Sequence, residues 1–391
     1  MTGEHRQVPF ANAEVVPEAC DAAGRALRSG WITLGPETAA FERDLAGYLG
    51  ARHVVAVSSG TAAIELTLRA LRLPSGSPVL TPSLTFCGAV APLLHLRLRP
   101  VLVDVDGETL LPTADCVARA ARRAGHPAAM IVQHMGGYPA DVKELADAAR
   151  LPESRVIEDA AHGLGAEVRG APLGSTSHAA CFSFYATKNL PIGEGGAVAT
   201  SDDELAAYLR AARLHGMSRD AWRRYLPGGS WRYDVLEPGL KANMTDVQAA
   251  IGRAQLTHLA AWQARREHLA GRYDAALGGL AGFGLPRQPP YGRHARHLYQ
   301  VRVGPPFGLS RDALIGALGD RGIGTSVHFI PVHHLSGFRA VLGPDECGSV
   351  PVTDLLAGEL LSLPMYPALA EDDVARVAAA ITEHALGAAE A

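Results

Sequence analysis

Short runs of β-branched and other apolar residues recur through the first half of the chain: HVVAV (53–57), PVLTP (78–82), VLVDV (101–105), MIVQH (130–134), RVIED (155–159), ACFSF (180–184) and GAVAT (196–200). Most are separated by stretches such as TAAIELTLRAL and DVKELADAAR, whose apolar residues recur at three- and four-residue spacing and predict helices. About seven strands alternating with helices predict an α/β fold, a mostly parallel sheet covered on both faces, with ligands at the carboxyl ends of the strands. From about residue 244 the pattern becomes one long helical stretch, TDVQAAIGRAQLTHLAAWQARREHLAGRYDAAL, which predicts a spine helix. Beyond the loop-like FGLPRQPPYGRH (283–294), a strand (HLYQVRV), a helix (SRDALIGALGDRG), a strand (IGTSVHF) and a last helix (AEDDVARVAAAITEHAL) predict a small α+β unit. The expected division is therefore a large domain with its N-terminal segment, 1–255, and a spine helix with a small C-terminal domain, 256–391.

Composition narrows the class. The 391 residues are 48% apolar, and 36 Lys+Arg against 40 Asp+Glu leave a net charge of −4, which argues against nucleic acid as a partner. The N-terminus, MTGEHRQVPFANAEVV, carries charges where a signal peptide needs an apolar core, and no apolar run is long enough for a membrane helix. A cytoplasmic enzyme with no membrane contact is the expectation. The five cysteines, at 20, 87, 116, 181 and 347, show no Cys-x-x-Cys spacing, so buried thiols are expected instead of disulfides, and no metal. Only three of the basic residues are lysines, at 143, 188 and 241, so any lysine chemistry has three candidates.

Three features could carry chemistry. HVVAV passes into a helix through Ser58, Ser59, Gly60 and Thr61, a turn whose free N–H groups and helix dipole suit a phosphate, although a plain Ser N-cap explains the same residues. Asp159 closes the strand RVIED at its carboxyl end, where an acid either caps the next turn or meets a ligand, such as the protonated nitrogen of a pyridine cofactor. Lys188 lies among small and apolar residues in CFSFYATKNLPIGEGGAV. There a desolvated amine can form a Schiff base, or else a structural ion pair. Lys143 and Lys241 read as surface residues. A phosphate turn, a strand-end acid and a pocket lysine are the protein parts that pyridoxal phosphate requires.

The motifs SSGTAA (58–63), EDAAHGLGAE (158–167), FSFYATKNLPIGEGG (182–196), NMTDVQAAIGRAQL (243–256) and LSLPMYPAL (361–369) resemble the DegT/DnrJ/EryC1/StrS family of sugar aminotransferases over nearly the whole chain. The resemblance implies the aspartate-aminotransferase-like type I fold of pyridoxal-phosphate (PLP) enzymes. It implies Lys188 as the Schiff-base lysine, Asp159 as the partner of the pyridine nitrogen, and His162 beside the ring and its phenolic oxygen. Phe86 matches the aromatic residue stacked on the ring; Gly60, Thr61 and Ser183 match phosphate contacts. Asn243 matches the asparagine that reaches the phosphate from a neighbouring subunit, which implies a homodimer with shared active sites. The sequence departs from common relatives at Tyr185, often His, and at Phe86, Trp in some. Lysine at 188 disfavours the dehydratase subgroup, which carries His there.

By the same resemblance L-glutamate, or glutamine, converts the cofactor to pyridoxamine phosphate, whose amine then passes to a keto sugar while Lys188 shuttles the proton. The arginines and aromatics of GMSRDAWRRYLPGGSWRYDV (216–235) suit a nucleotide diphosphate, or form a solvated basic loop. GWITLGP, LHGMSRDAW and GIGTSVHF look most like the branch that aminates 4-keto sugars, which implies an NDP-4-keto-6-deoxyhexose, with dTDP-4-keto-6-deoxy-D-glucose preferred. His215 and His328 are candidates for contacts to the sugar or its diphosphate. A UDP-4-keto-pentose and an NDP-3-keto sugar are the alternatives within the class. An NAD-dependent sugar oxidoreductase is disfavoured because GEGGAV opens a strand and not a helix, and a non-catalytic regulator on this fold is the remaining reading.

Overall fold

The computed structural model describes residues 7–217, 228 and 233–387. Seven strands form one sheet: β1 (His53–Val57), β2 (Pro78–Pro82), β3 (Arg99–Val103), β4 (Ala129–Gln133), β5 (Val156–Asp159), β6 (Ala180–Ser183) and β7 (Gly196–Thr200), in the order β1-β7-β6-β5-β4-β2-β3. All seven runs read from the sequence lie in it. β3, β2, β4, β5 and β6 are parallel in turn, whereas β7 runs antiparallel to both β6 and β1. Both faces are buried, so successive side chains serve opposite cores. Val55 and Val57 join the cluster that contains Leu66, Ile131 and Ile157. Val54 and Ala56 join the one that contains Phe41, Leu45 and Phe182.

The register brings the strand ends level. Gln133 pairs with Asp159, Asp159 with Cys181, Ser183 with Gly196, and Gly196 with Val57. At Gly196 the turn after β1 comes so close that an added Cβ would lie 2.4 Å from the carbonyl carbon of Ser59. That close approach is the physical need for glycine at 196, the last residue of GEGG.

The helical stretch after 244 is two helices, Asp246–Leu256 and Leu259–Leu277, broken at Thr257 and His258. Thr257 is the C-cap of the first, and the His258 N–H turns to the Gln255 carbonyl three residues back, so the single spine helix is corrected to two helices in succession. The first starts on a capping box between Thr245 and Gln248. Its buried Asp246 accepts hydrogen bonds from the N–H groups of Glu37 and Thr38 and so caps the helix Pro36–Leu49.

A second, three-stranded sheet (Phe283–Gly284, Tyr299–Val303, Leu360–Leu363) packs with the helices Leu259–Leu277, Arg311–Asp320 and Glu371–Gly387. Val8 enters this core and bridges to Ile323. The segment IGTSVHF is not a strand. It makes only two isolated bridges to different partners, Ile323 to Val8 and Ser326 to Ser362, and the third strand of the sheet is Leu360–Leu363. Only Cys181 among the five thiols is buried. Cys20 is exposed because its helix buries Ala19, Ala22 and Ala26 on the opposite face. Among the described residues, no helix is long and apolar enough to cross a membrane.

Candidate active site

At the carboxyl edge of the sheet lies a cavity of about 510 Å³, in the size range of small-molecule sites. Its wall carries Gly60, Thr61, Phe86, Asp159, His162, Ser183, Lys188 and His328, so folding gathers eight of the ten predicted site residues. His215 and Asn243 do not line it. His215 is exposed, and Asn243 lies beside the end of β1, bridged to Val57, with its side chain held by Lys241 and by the Met244 carbonyl. The arginines of 216–235 fall outside the described residues.

The turn after β1 does two jobs. Ser59 caps the helix Gly60–Ala70, its Oγ accepting from the Ala62 N–H at 3.1 Å. The N–H groups of Gly60 and Thr61, also in the first turn, have no partner within the helix and stand at its positive end. Ser183 is close beside them: a Cβ on Gly60 would lie 3.0 Å from the Ser183 Cβ. The cap and the anion cradle are therefore compatible readings of one turn.

Asp159 is buried at the end of β5, and its Oδ1 accepts from the Ala161 N–H at 3.1 Å. Burial pushes its carboxyl up, while the Ala161 N–H and the charges of Lys188 and His134 pull it back. Beside it, Gln133 presents a buried Oε1 with no hydrogen-bond partner among the described residues. A buried carboxylate and an orphaned acceptor in one wall call for a ligand that brings hydrogen-bond donors.

Lys188 follows β6 in a turn where its N–H donates to the Tyr185 carbonyl at 2.9 Å. The next residue anchors the loop: buried Asn189 donates to the carbonyls of Leu164 and Ala295 and accepts from His297 Nδ1 at 3.1 Å. Burial lowers the Lys188 amine to about 8, with Asp159 opposing the shift. Lys188 is the one lysine or arginine among the described residues lining the cavity. A lysine at its ordinary 10.5 has about one neutral amine in 3,000 at pH 7, whereas one near 8 has about one in ten. The rate at which PLP attaches to cofactor-free protein is accordingly expected to rise about tenfold per pH unit below 8 and to level off above it. Stopped-flow absorbance between pH 6 and 9 measures this; a rate still climbing at the top of that range would indicate an unperturbed lysine.

Three histidines face the same space in their neutral form. His162 Nδ1 accepts from the Gly136 N–H at 3.2 Å, which leaves its proton on Nε2, and burial holds its pKa well below the usual value. His297 lies 4.5 Å from it, ring to ring, and is lowered by burial in the same way. His328 is lowered to about 4 by burial and by the charge of Lys188. The Phe86 and Phe329 rings, 5.7 Å apart, form an apolar wall, with Phe86 and Tyr185 about half exposed. Gln133, Asn189, His297 and Phe329 were not singled out in the sequence. The available signal was a polar residue at a strand end, as for Gln133 in MIVQH, or next to the pocket lysine, as for Asn189.

A doubly wound sheet with a desolvated lysine, a buried acid and a helix N-terminus at its carboxyl edge fits a PLP-dependent enzyme. The chain belongs to the DegT/DnrJ/EryC1/StrS aminotransferase family, whose model matches residues 14–382. It is 40% identical over 383 residues, 97% of each chain, to the spore coat polysaccharide biosynthesis protein SpsC of Bacillus subtilis. Among solved structures, DesV from S. venezuelae, in complex with a ketimine intermediate, is 35% identical with a TM-score of 0.86, covering 97% of this chain and 98% of DesV. Spr1654 from Streptococcus pneumoniae in its PLP form is 27% identical with a TM-score of 0.87, covering 98% of this chain and 100% of the other; it is also solved in a PMP form. The protein is thus a PLP-dependent sugar aminotransferase, and its cavity offers the anion cradle, buried carboxylate and amine that this cofactor needs.

Proposed function

We propose that this enzyme aminates a nucleotide-linked 4-keto-6-deoxyhexose at C-4, with dTDP-4-keto-6-deoxy-D-glucose as substrate and L-glutamate as amino donor. The observation that carries the reading is the convergence of Lys188, Asp159 and the Gly60–Thr61 turn on one cavity with an aromatic wall. Gly60, Thr61 and Ser183 would hold the cofactor's phosphate, and Phe86, Asp159 and His162, in the same cavity, would hold its ring. When bound, PLP would supply the carbonyl that carries the amino group from donor to acceptor and the electron sink that makes the proton shift possible. Lys188 Nζ takes and returns the proton in each half of the exchange, for which a near-neutral amine is suited. Asp159, buried at the end of β5, would pair with a protonated ring nitrogen. Neutral His162 and His328 add hydrogen-bonding groups without repelling the Lys188 ammonium.

Phe329, lining the cavity beside Phe86, offers an apolar surface for a methyl group at C-5. His328, in the cavity, and His215, exposed on the chain leading to 216–235, are proposed to contact the sugar or its diphosphate, with the arginines of 219–232 as bidentate partners of the phosphates. The proposed division is a large domain, 1–255, and a spine helix with a small C-terminal domain, 256–391; residues of both ranges line the cavity.

Product analysis by NMR with dTDP-4-keto-6-deoxyglucose, its 3-keto isomer and UDP-4-keto-pentose, each with glutamate, tests the substrate. The amine is expected at C-4 of the hexose. One methyl group is worth about 1–3 kcal/mol, so the pentose should turn over with kcat/KM lower by roughly 10–200-fold. An amine at C-3, or turnover confined to the pentose, would overturn the assignment.

Asn243 is proposed to complete the phosphate site of a partner subunit in a symmetric dimer, a role its position outside its own cavity supports. Mixing Asn243→Ala with Lys188→Ala subunits then puts both lesions in one site of the heterodimer and leaves the other whole. Each heterodimer is expected to recover about half of wild-type activity by this arithmetic. No gain over the two parents would mean that Asn243 acts within its own chain.

A further inference from the structure

Outside the cavity, two consecutive histidines converge on one carboxylate. Nε2 of His333 lies 2.8 Å, and Nε2 of His334 2.9 Å, from Oδ1 of Asp354. The three atoms lie within 4.8 Å of one another, the one such group of three among the described residues. Local spacing gives no hint of it, because Asp354 stands 20 residues after His334 and joins it only through folding.

The scaffold holds these groups on defined elements. The histidines sit in the short turn Val332–His334, pinned by the Val332 N–H to the Ser83 carbonyl at 2.9 Å. Asp354 stands in the first turn of the helix Pro351–Glu359, whose Val352 and Thr353 N–H groups are capped by Asp104. His333 Nδ1 is 2.6 Å from the Oγ of buried Ser83. A hydroxyl on the far nitrogen of a ligating imidazole is the outer contact that fixes ring orientation in metal sites.

We propose that His333, His334 and Asp354 bind a divalent borderline transition-metal ion, zinc fitting best, with the remaining position open to water. Two imidazoles and a carboxylate are the zinc donor set of sites that keep one position free. Bonds of about 2.0–2.1 Å in a tetrahedron separate neighbouring ligand atoms by about 3.3 Å. The pairs at 2.8 and 2.9 Å must therefore open by about half an ångström, which the 40% exposed His334 and 52% exposed Asp354 side chains allow. On binding, each ring would carry its proton on Nδ1 and turn the Nε2 lone pair to the ion, so that His333 Nδ1 donates to Ser83 Oγ. The ion would clamp the chain after Phe329 to the helix Pro351–Glu359 and, through Ser83, to the loop ending at Phe86, the two sides of the cavity's aromatic wall.

The test is titration of tag-free holoenzyme with Co²⁺, followed by its visible d–d bands in difference spectra and by thermal unfolding. One ion per chain is expected, with the intense bands of a four-coordinate site, displacement by Zn²⁺ and a melting temperature that rises with Zn²⁺ concentration. His334→Ala and Asp354→Asn, both at exposed side chains, should each weaken binding at least tenfold and abolish the thermal shift. His95→Ala, at a surface histidine paired with Glu65, should change neither. Absent stoichiometric binding, or equal binding in His334→Ala and Asp354→Asn, would overturn the proposal.

Discussion

Lys188→Ala is expected to lower transamination by at least about 10⁴-fold while leaving the fold intact. No other described lysine or arginine lines the cavity, so no neighbour can take over the proton transfer or the attachment of cofactor. Lys143 is held at the surface by Asp147 at 2.9 Å, and Lys241 is exposed and engaged by Asn243. Four powers of ten correspond to about 5.4 kcal/mol of barrier. The fold should survive because the Lys188 ammonium forms no hydrogen bond to a described residue and its burial disfavours the charge it carries. Turnover by NMR, alongside an unchanged circular dichroism spectrum and thermal midpoint, checks this. Residual activity within tenfold of wild type would remove Lys188 from the chemistry.

Asp159→Asn is expected to cost about 10³-fold in kcat, the upper end of what one electrostatic contact supplies in a water-excluded site. The amide keeps the volume, and its oxygen can still accept from the Ala161 N–H, so the loss isolates the negative charge. Because the charge acts on the reacting system and not on the nucleotide, KM for the sugar should change little. Single-turnover rates with glutamate alone separate the first half-reaction. A raised KM with unchanged kcat would mean that Asp159 serves binding only.

The seven strands were legible because each is a short apolar run bounded by turn residues, and burial on both faces makes the run continuous. Strand-end chemistry was legible for the same reason: Asp159 is a charge where an apolar run stops. The break at Thr257 and His258 was not visible, since apolar periodicity continues across it and the only change is a tighter turn, the His258 N–H reaching the Gln255 carbonyl. IGTSVHF carries strand-like residues, yet its neighbours on either side are single residues of other segments, Val8 and Ser362, so no ladder forms. His297 and the His333–His334–Asp354 cluster gain their meaning from contacts across long stretches of chain, which local pattern does not encode.

Borohydride reduction of the holoenzyme followed by peptide mapping tests the central claim most directly, because it fixes the cofactor to the amine that holds it. The account predicts reduced cofactor on the peptide containing Lys188, in one equivalent per chain at saturation, and none in Lys188→Ala. Cofactor recovered on Lys143 or Lys241 instead would contradict it.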